Sequence, residues 1–348
     1  MLFVSLRDLQ WRLRRFVIGV LATGLVFALA LLISGVSGSF QQEVTRSVDA
    51  FHADRWVVAE QAFGPFTSST LIAASAAHAA AREPGVQAAD PVALLRTTVR
   101  VPKVTDLNVI GVVPHGVGAP EVSEGRPIAG RGEVVADRSL GVALGATLDL
   151  AGARFRVVGR TNGVSYYGGT PVVFVALTDA QRLLLGGQPL ATAIVVRGSP
   201  TTAPAGLRVM TNSAVMTDLR RPLQKATQTI DFLRVLLWII AAGIIGSVLY
   251  LQALERTRDF AVFKATGVSS GTLLLGIALQ AMVLAVTAAA TALVLAWLLT
   301  PTMAMNVAIP RGSYIALPIV AIVVGLVSSV FGLRRAVTVD PALAFGGA

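Results

Sequence analysis

Serine is abundant, but no strand-to-helix GxSxG elbow marks a nucleophile. Cysteine is absent, which removes disulfides, thiolate metal ligands and cysteine nucleophiles. Lysine occurs at Lys103, Lys225 and Lys264, after Pro102, Gln224 and Phe263. A phosphate-cradling GxxxxGK[ST] loop needs glycine before its lysine, so no such nucleotide site can be built here. His52, His78 and His115 stand apart, with no HExxH pair, and read as surface or satisfied core histidines. What remains is one dense cluster running from Glu255 and Arg256 through Arg258, Asp259, Phe260, Val262, Phe263 and Lys264 to Gly267. Its chemistry is docking rather than catalysis. An ordinary charged connection has no need to expose Phe260 and Phe263, and two such rings ask for a groove on a partner.

The elements that position this cluster are apolar. Four runs, residues 16–36, 235–254, 272–299 and 315–333, hold no charged residue, and each approaches or exceeds the roughly 20 helical residues that cross a hydrocarbon core. Hydrophobic residues make up 54% of the 348 and charged ones 14%, well under the roughly one-quarter of a soluble domain. That excludes an ordinary soluble protein. The net charge of +10 then reads as membrane topology, with no nucleic-acid partner expected. Arg7, Arg12, Arg14 and Arg15 precede the first run, Arg256, Arg258 and Lys264 follow the second, and Arg334 and Arg335 follow the fourth. Residues 300–314 hold only Arg311. Because Lys and Arg in short flanks resist translocation, both termini and the cluster are expected in the cytoplasm. Cleavage of the first run as a signal peptide is a poorer reading, since such apolar regions span only about 7–15 residues.

The expected fold class is therefore an α-helical membrane protein with four transmembrane helices, one N-terminal and three C-terminal, and a large α+β extracytoplasmic domain between the first two. Residues 1–15 read as a cytoplasmic amphipathic helix or a plain positive anchor, 16–36 as the first span and 37–231 as the outer domain, joined to the second span through a helical stalk or a plain linker at 219–234. Residues 232–254 form the second span, 255–271 the cytoplasmic loop, 272–299 the third span and 300–314 a short outer loop. The fourth span is 315–333 and the tail 334–348. Within the outer domain the pattern predicts helices at 69–82, 140–144 and 178–185, the last capped by Thr178. Strands are predicted at 86–101, 106–113, 133–136, 154–158, 172–175 and 193–197.

No span holds the Asp, Glu, His or Arg that ion-coupled carriers place in the bilayer. Energy must be supplied from outside the spans. The pairs Ala242/Gly246 and Gly325/Ser329 are small-xxx-small spacings, which suit helix contacts within the chain or a dimer seam equally.

The loop resembles the FtsX-like, or MacB-type, permeases of ABC transporters. Their signature, close to E-R-x-R-E-hydrophobic-x-hydrophobic-x-K-A-hydrophobic-G-A-S, is matched by Glu255, Arg256, Arg258, Phe260, Val262, Lys264, Ala265, Gly267 and Ser269, with Asp259 for Glu and Val268 for Ala. The tail is similar too, in Arg335-Ala336 and in Val339-Asp340-Pro341-Ala342-Leu343. So, in the outer domain, are Pro84-Gly85-Val86, Glu133-Val134-Val135 with Leu144-Gly145, and residues 171–184. The resemblance implies a bacterial plasma-membrane permease, itself no enzyme, that contributes Glu255, Arg256, Arg258, Asp259, Phe260, Phe263, Lys264 and Gly267 to ATPase coupling. It also implies a cytosolic ABC ATPase dimer holding ATP and Mg as the partner, a second permease copy forming a homodimer, contact with membrane lipid, and an extracytoplasmic adaptor or effector. Export or extrusion of an amphipathic lipid, glycolipid, peptide or lipoprotein is the expected role. A transmembrane transducer controlling a cell-wall hydrolase is the alternative. An amino-acid importer fits less well, since such permeases have five or more spans and an EAAxxxG loop.

Overall fold

The computed structural model describes residues 13–100, 104–255, 262, 266, 269–303 and 307–337. The chain divides into two compact units, Met1–Ser39 with Ala226–Ala348, and Phe40–Lys225. In chain order the elements are helix α1 (Leu13–Asp49), β1 (Arg55–Ala59), β2 (Ile72–Ala73), α2 (Ala76–Ala80), β3 (Val86–Arg100), β4 (Val104–Val112), β5 (Glu124–Gly125) and β6 (Glu133–Asp137). Then come β7 (Thr147–Leu150), β8 (Ala153–Thr161), β9 (Ser165–Tyr166), β10 (Thr170–Ala176), α3 (Leu177–Leu184), β11 (Leu190–Ala191), β12 (Ala193–Gly198) and β13 (Leu207–Thr211). The chain continues with α4 (Asn212–Arg220), α5 (Gln224–Glu255), α6 (Ser270–Leu299) and α7 (Arg311–Val337).

Among the described residues, four helical stretches are long and apolar enough to cross a membrane: Phe16–Asp49, Asn212–Glu255, Leu275–Thr302 and Arg311–Ser329. They share one core. Phe27, Ala28 and Leu31 of α1 pack with Ala241, Ile245 and Leu249 of α5, an alanine seam from Ala281 to Ala296 on α6, and Leu317 and Ala321 of α7. Alanine and glycine let the backbones approach closely, which drives helix association where lipid is as apolar as the side chains. A Cβ on Gly325 would lie 3.1 Å from both the Ala281 carbonyl and the Ala285 methyl. Ser328 donates to the Ala242 carbonyl at 2.9 Å. Gly325 and Ala242 thus make contacts inside the chain, as one of the two sequence readings allowed. Outward, the helices present Ile18, Leu21 and Leu25, Ile239, Trp297 and Ile319, all exposed, the reverse of a soluble surface.

In the second half of α1, small residues form a seat for the segment after α6. A Cβ at Gly35 would lie 2.3 Å from Val307 Cγ1, and one at Gly38 2.4 Å from the Ala308 carbonyl. The Ala308 N–H donates to Ser39 Oγ at 2.8 Å. No larger residue fits at either glycine without moving that segment.

The second unit is built on a mixed sheet of eleven strands, ordered β13-β1-β12-β3-β4-β10-β6-β8-β5, with β7 on β8 and β9 on β10. Strand β3 joins two wings. Its first half pairs with β12, from Val86↔Gly198 to Val92↔Ala193, and its second half with β4, from Ala93↔Gly111 to Arg100↔Val104. At the crossover Thr192 Oγ1 accepts from the Leu94 N–H at 2.9 Å and donates to the Val92 carbonyl at 3.1 Å. Continuous apolar runs such as Val172–Ala176 indicate burial on both faces, and period-2 alternation sorts their residues. Val173, Val109 and Leu107 pack under Ala180 of α3, whereas Phe174, Ile110 and Val135 face Val44, Val48 and Phe51, together with Trp56 and Leu219.

Three sequence expectations are corrected here. Residues 69–82 are not one helix: Ile72 and Ala73 pair with Ala191 and Leu190, leaving only Ala76–Ala80 helical. Residues 140–144 are not helical; a 3-10 turn at Arg138–Leu140, capped by Asp137 accepting from Ser139, ends at Gly141 with φ +72°. Helix α3 begins before Thr178, with Ala176 at the cap position and no side-chain cap. Strands β1, β7 and β13 and helix α4 were not anticipated.

Candidate functional site

Of the coupling residues expected from sequence, Glu255 closes α5 and is exposed. Arg256, Arg258, Asp259, Phe260, Phe263, Lys264 and Gly267 lie outside the described residues, as do the amphipathic stretch 1–12 and the tail 338–348. Val262 is helical and 50% exposed. The Thr266 N–H donates to its carbonyl at 3.0 Å, an i→i−4 bond that closes one helical turn. The third span then starts at a proper N-cap, Ser269, whose Oγ accepts from the Thr272 N–H at 3.3 Å.

In the outer unit, a second constellation escaped the sequence reading. Helix α1 continues thirteen residues past Val36 to Asp49, and its last turns meet the turn between β9 and β10. Tyr167, Gly168 and Gly169 take φ +56°, +85° and +101°. Positive φ at three consecutive residues makes a tight turn that suits glycine. Gly168 and Gly169 donate to one oxygen of Glu43 at 3.2 and 3.1 Å. Ser47 donates to the Ser165 carbonyl at 2.6 Å, and a Cβ on Gly168 would come within 3.2 Å of the Phe40 ring. Phe40, Glu43 and Ser47 share one α1 face at i, i+3 and i+7 spacing. Glycines after paired tyrosines signal a turn in sequence, but nothing there reveals its partner 125 residues away.

An aromatic chain extends from this turn into the core. Phe51, just past α1, meets the Trp56 ring edge-on at 4.8 Å; Trp56 lies 5.9 Å from Phe66, and Phe66 5.1 Å from Tyr166. Trp56 Nε1 donates to Asn212 at 3.0 Å and Asn212 to the Ala53 carbonyl at 2.8 Å, tying α4 to β1. Tyr167 donates to the Phe66 carbonyl at 2.9 Å. Burial pushes the Tyr166 phenol well above its usual range and raises that of Tyr167; both stay protonated donors at neutral pH. No three His, Asp or Glu side chains gather as a metal site among the described residues.

Glu133, noted in sequence beside Val134 and Val135, anchors the turn before β6. It pairs with both terminal nitrogens of Arg126 and accepts from the Ala129 and Gly130 N–H groups at 2.8 and 3.3 Å. The Arg126 hydrogen bonds hold its pKa at about 2 against an ordinary 4.5. A carboxylate whose folded pKa is depressed contributes stability that is complete above the ordinary value and is lost as pH falls from 4.5 through about 2. Glu133→Gln is accordingly expected to flatten the acid limb of a melting-temperature profile over that window; an unchanged limb would contradict this.

With this geometry in view, the comparisons with known proteins are direct. The FtsX-like permease C-terminal family matches residues 232–341, and the MacB-like periplasmic core domain matches residues 17–209. The uncharacterized ABC transporter permease Rv0072 of Mycobacterium tuberculosis is 44% identical over 348 residues, covering 100% of each chain. The permease Rv2563 of the same organism is 43% identical over the same span, again covering 100% of each chain. The crystal structure of the periplasmic region of MacB from Actinobacillus actinomycetemcomitans is similar with a TM-score of 0.37 at 14% identity, covering 48% of this chain and 92% of that one. Four apolar helices, a mixed-sheet domain between the first and second, and full-length similarity to such permeases agree: the chain belongs to the FtsX-like, MacB-type family of ABC transporter permeases.

Proposed function

We propose that this permease converts ATP hydrolysis by a separate cytosolic ATPase dimer into movement of its outer domain, for export or extrusion of an amphipathic substrate such as a lipid, glycolipid, peptide or lipoprotein. It sits in the bacterial plasma membrane with both termini and residues 255–271 on the cytoplasmic side. Two copies pair, and ATP with Mg is held by the partner subunits. An extracytoplasmic adaptor or effector receives the movement.

The observation that carries this reading is the interior of the membrane unit. Its four apolar runs hold no Asp, Glu, His, Lys or Arg, and their shared core is closed by alanine and glycine. Such an interior offers no coupling-ion site, which supports work driven from an attached ATPase. Glu255, Arg256, Arg258, Asp259, Phe260, Phe263, Lys264 and Gly267 form the docking segment in this reading. Phe260 and Phe263 enter a groove on the ATPase, and the charges set its register. Glu43, Ser47 and the turn at Tyr167–Gly169 support transmission at the far end, because they fix the last turns of α1 within the outer unit.

The test is nucleotide dependence. Purified chain in lipid nanodiscs is expected neither to bind nor to hydrolyse ATP, and hydrolysis is expected only after its cognate ATPase is added. Stoichiometric nucleotide binding by the chain alone would overturn the proposal.

A further inference from the structure

A cavity of about 40 Å³ opens in the outer unit between β3, β4 and the β9–β10 turn, lined by Phe66, Leu94, Arg96, Asn108, Tyr166 and Tyr167 among others. Arg96 and Asn108 stand opposite each other in the β3–β4 register, which puts both side chains on one face of the sheet. The Arg96 guanidinium lies 4.3 Å from the centre of the Tyr167 ring. Its Nε donates to Asn108 Oδ1 at 3.4 Å, an orientation that commits the amide oxygen and leaves the NH₂ group unused.

Two polar groups here are buried without partners. Asn108 is 5% exposed and Tyr166 2%, and neither Asn108 Nδ2 nor the Tyr166 hydroxyl has a hydrogen-bond partner among the described residues. Buried donors left unpaired are costly, and natural cores carry few of them. No carboxylate among the described residues reaches ion-pair distance of Arg96. Asp218 is already taken by the Phe66 and Thr67 N–H groups at 2.9 and 3.3 Å.

We propose that Arg96, Asn108 and Tyr166 form a binding site for a carboxylate carried on a small apolar ligand. The three side chains can all offer donors, so the complementary group is an anion that only accepts. A guanidinium suits the flat, two-oxygen carboxylate. The volume admits the end group alone, and Phe66, Leu94 and Tyr167 supply an apolar wall for the rest of the ligand. Tyr166 and Tyr167 run directly into Gly168 and Gly169, so an occupant that orders this wall also orders the turn holding Glu43. The site does not depend on the ATPase reading: it binds ligand whether or not a partner subunit is present.

Titration calorimetry on the full chain in nanodiscs tests it, with N-acetyl-leucine representing a peptide C-terminus and hexanoate an acyl chain. Millimolar or tighter binding of either acid supports the site and identifies the source, provided that N-acetyl-leucinamide binds at least about tenfold more weakly. Arg96→Met, an exposed change, is expected to remove the binding. Tyr166→Phe is expected to weaken it at least about tenfold while leaving the melting temperature of the free protein unchanged or higher, since it deletes an unpaired hydroxyl. A hydroxyl with a purely structural role would instead lower that temperature. Absence of binding by both acids, equal binding of the amide, or equal displacement by inorganic phosphate would each overturn the proposal.

Discussion

Replacing Phe260 and Phe263 together with alanine is expected to weaken assembly with the ATPase by at least one order of magnitude and to abolish coupled hydrolysis at working concentrations. Burying each ring in a partner groove is worth about 1.5–3 kcal/mol, and about 1.4 kcal/mol is tenfold in affinity. Reversing the charge of Arg258 or Lys264 is expected to do less, because an exposed ion pair is worth under about 1 kcal/mol and is screened by salt. Between Phe260 and the third span, Val262 is half-exposed and its carbonyl accepts from the Thr266 N–H. All four positions lie outside the charge-free runs in sequence, so membrane insertion and the thermal melt are expected to match wild type. Co-purification of the double variant with its ATPase at the wild-type level, with coupled hydrolysis intact, would reduce residues 255–271 to a plain connection.

The second large effect falls on stability. Trp56→Ala is expected to cost about 3–5 kcal/mol, the range for removing a fully buried large aromatic, and total stabilities are only about 5–15 kcal/mol. Trp56 is 0% exposed, meets Phe51 edge-on and Phe66 at a tilt, and through Nε1 holds Asn212 at the start of α4. Its loss therefore leaves a cavity and an unpaired amide acceptor together. Trp56→Phe keeps much of the volume and is expected to cost less. Limited proteolysis and the near-ultraviolet dichroism of the full chain would register the difference. An alanine variant with wild-type resistance would show that the aromatic chain does not hold β1, α4 and the end of α1 together.

How far the sequence could be read depended on whether the decisive contacts were local. Charge-free runs identify membrane helices because burying ionised groups in hydrocarbon is expensive, and all of those runs are helical. The continuation of α1 to Asp49 was harder to see. Residues 37–49 are polar overall, yet Val44, Val48 and Phe51 recur at near-helical spacing and enter the outer core. Alanine propensity misled at 69–82, where pairing of Ile72 and Ala73 with the distant β11 overrode a preference worth only fractions of a kcal/mol per residue. Strand β1 lacked alternation, since Trp56, Val57 and Val58 are buried in succession. The Glu43 turn and the Arg96–Asn108–Tyr166 cavity rest on chain separations that only the folded sheet brings together, whereas the expected docking segment is contiguous in sequence and, Glu255, Val262 and Thr266 apart, lies outside the described residues.

Absence of native cysteine makes single-cysteine labelling the most direct test of where the coupling segment lies and what it touches. Val262→Cys places a thiol at an exposed helical position of the segment, and Gln188→Cys places one on the exposed loop after α3. In intact cells a membrane-impermeant thiol reagent is expected to label Gln188→Cys and to spare Val262→Cys, while a short bifunctional cross-linker joins Val262→Cys to the ATPase. Labelling of Val262→Cys from outside, with no cross-link to the ATPase, would contradict the account.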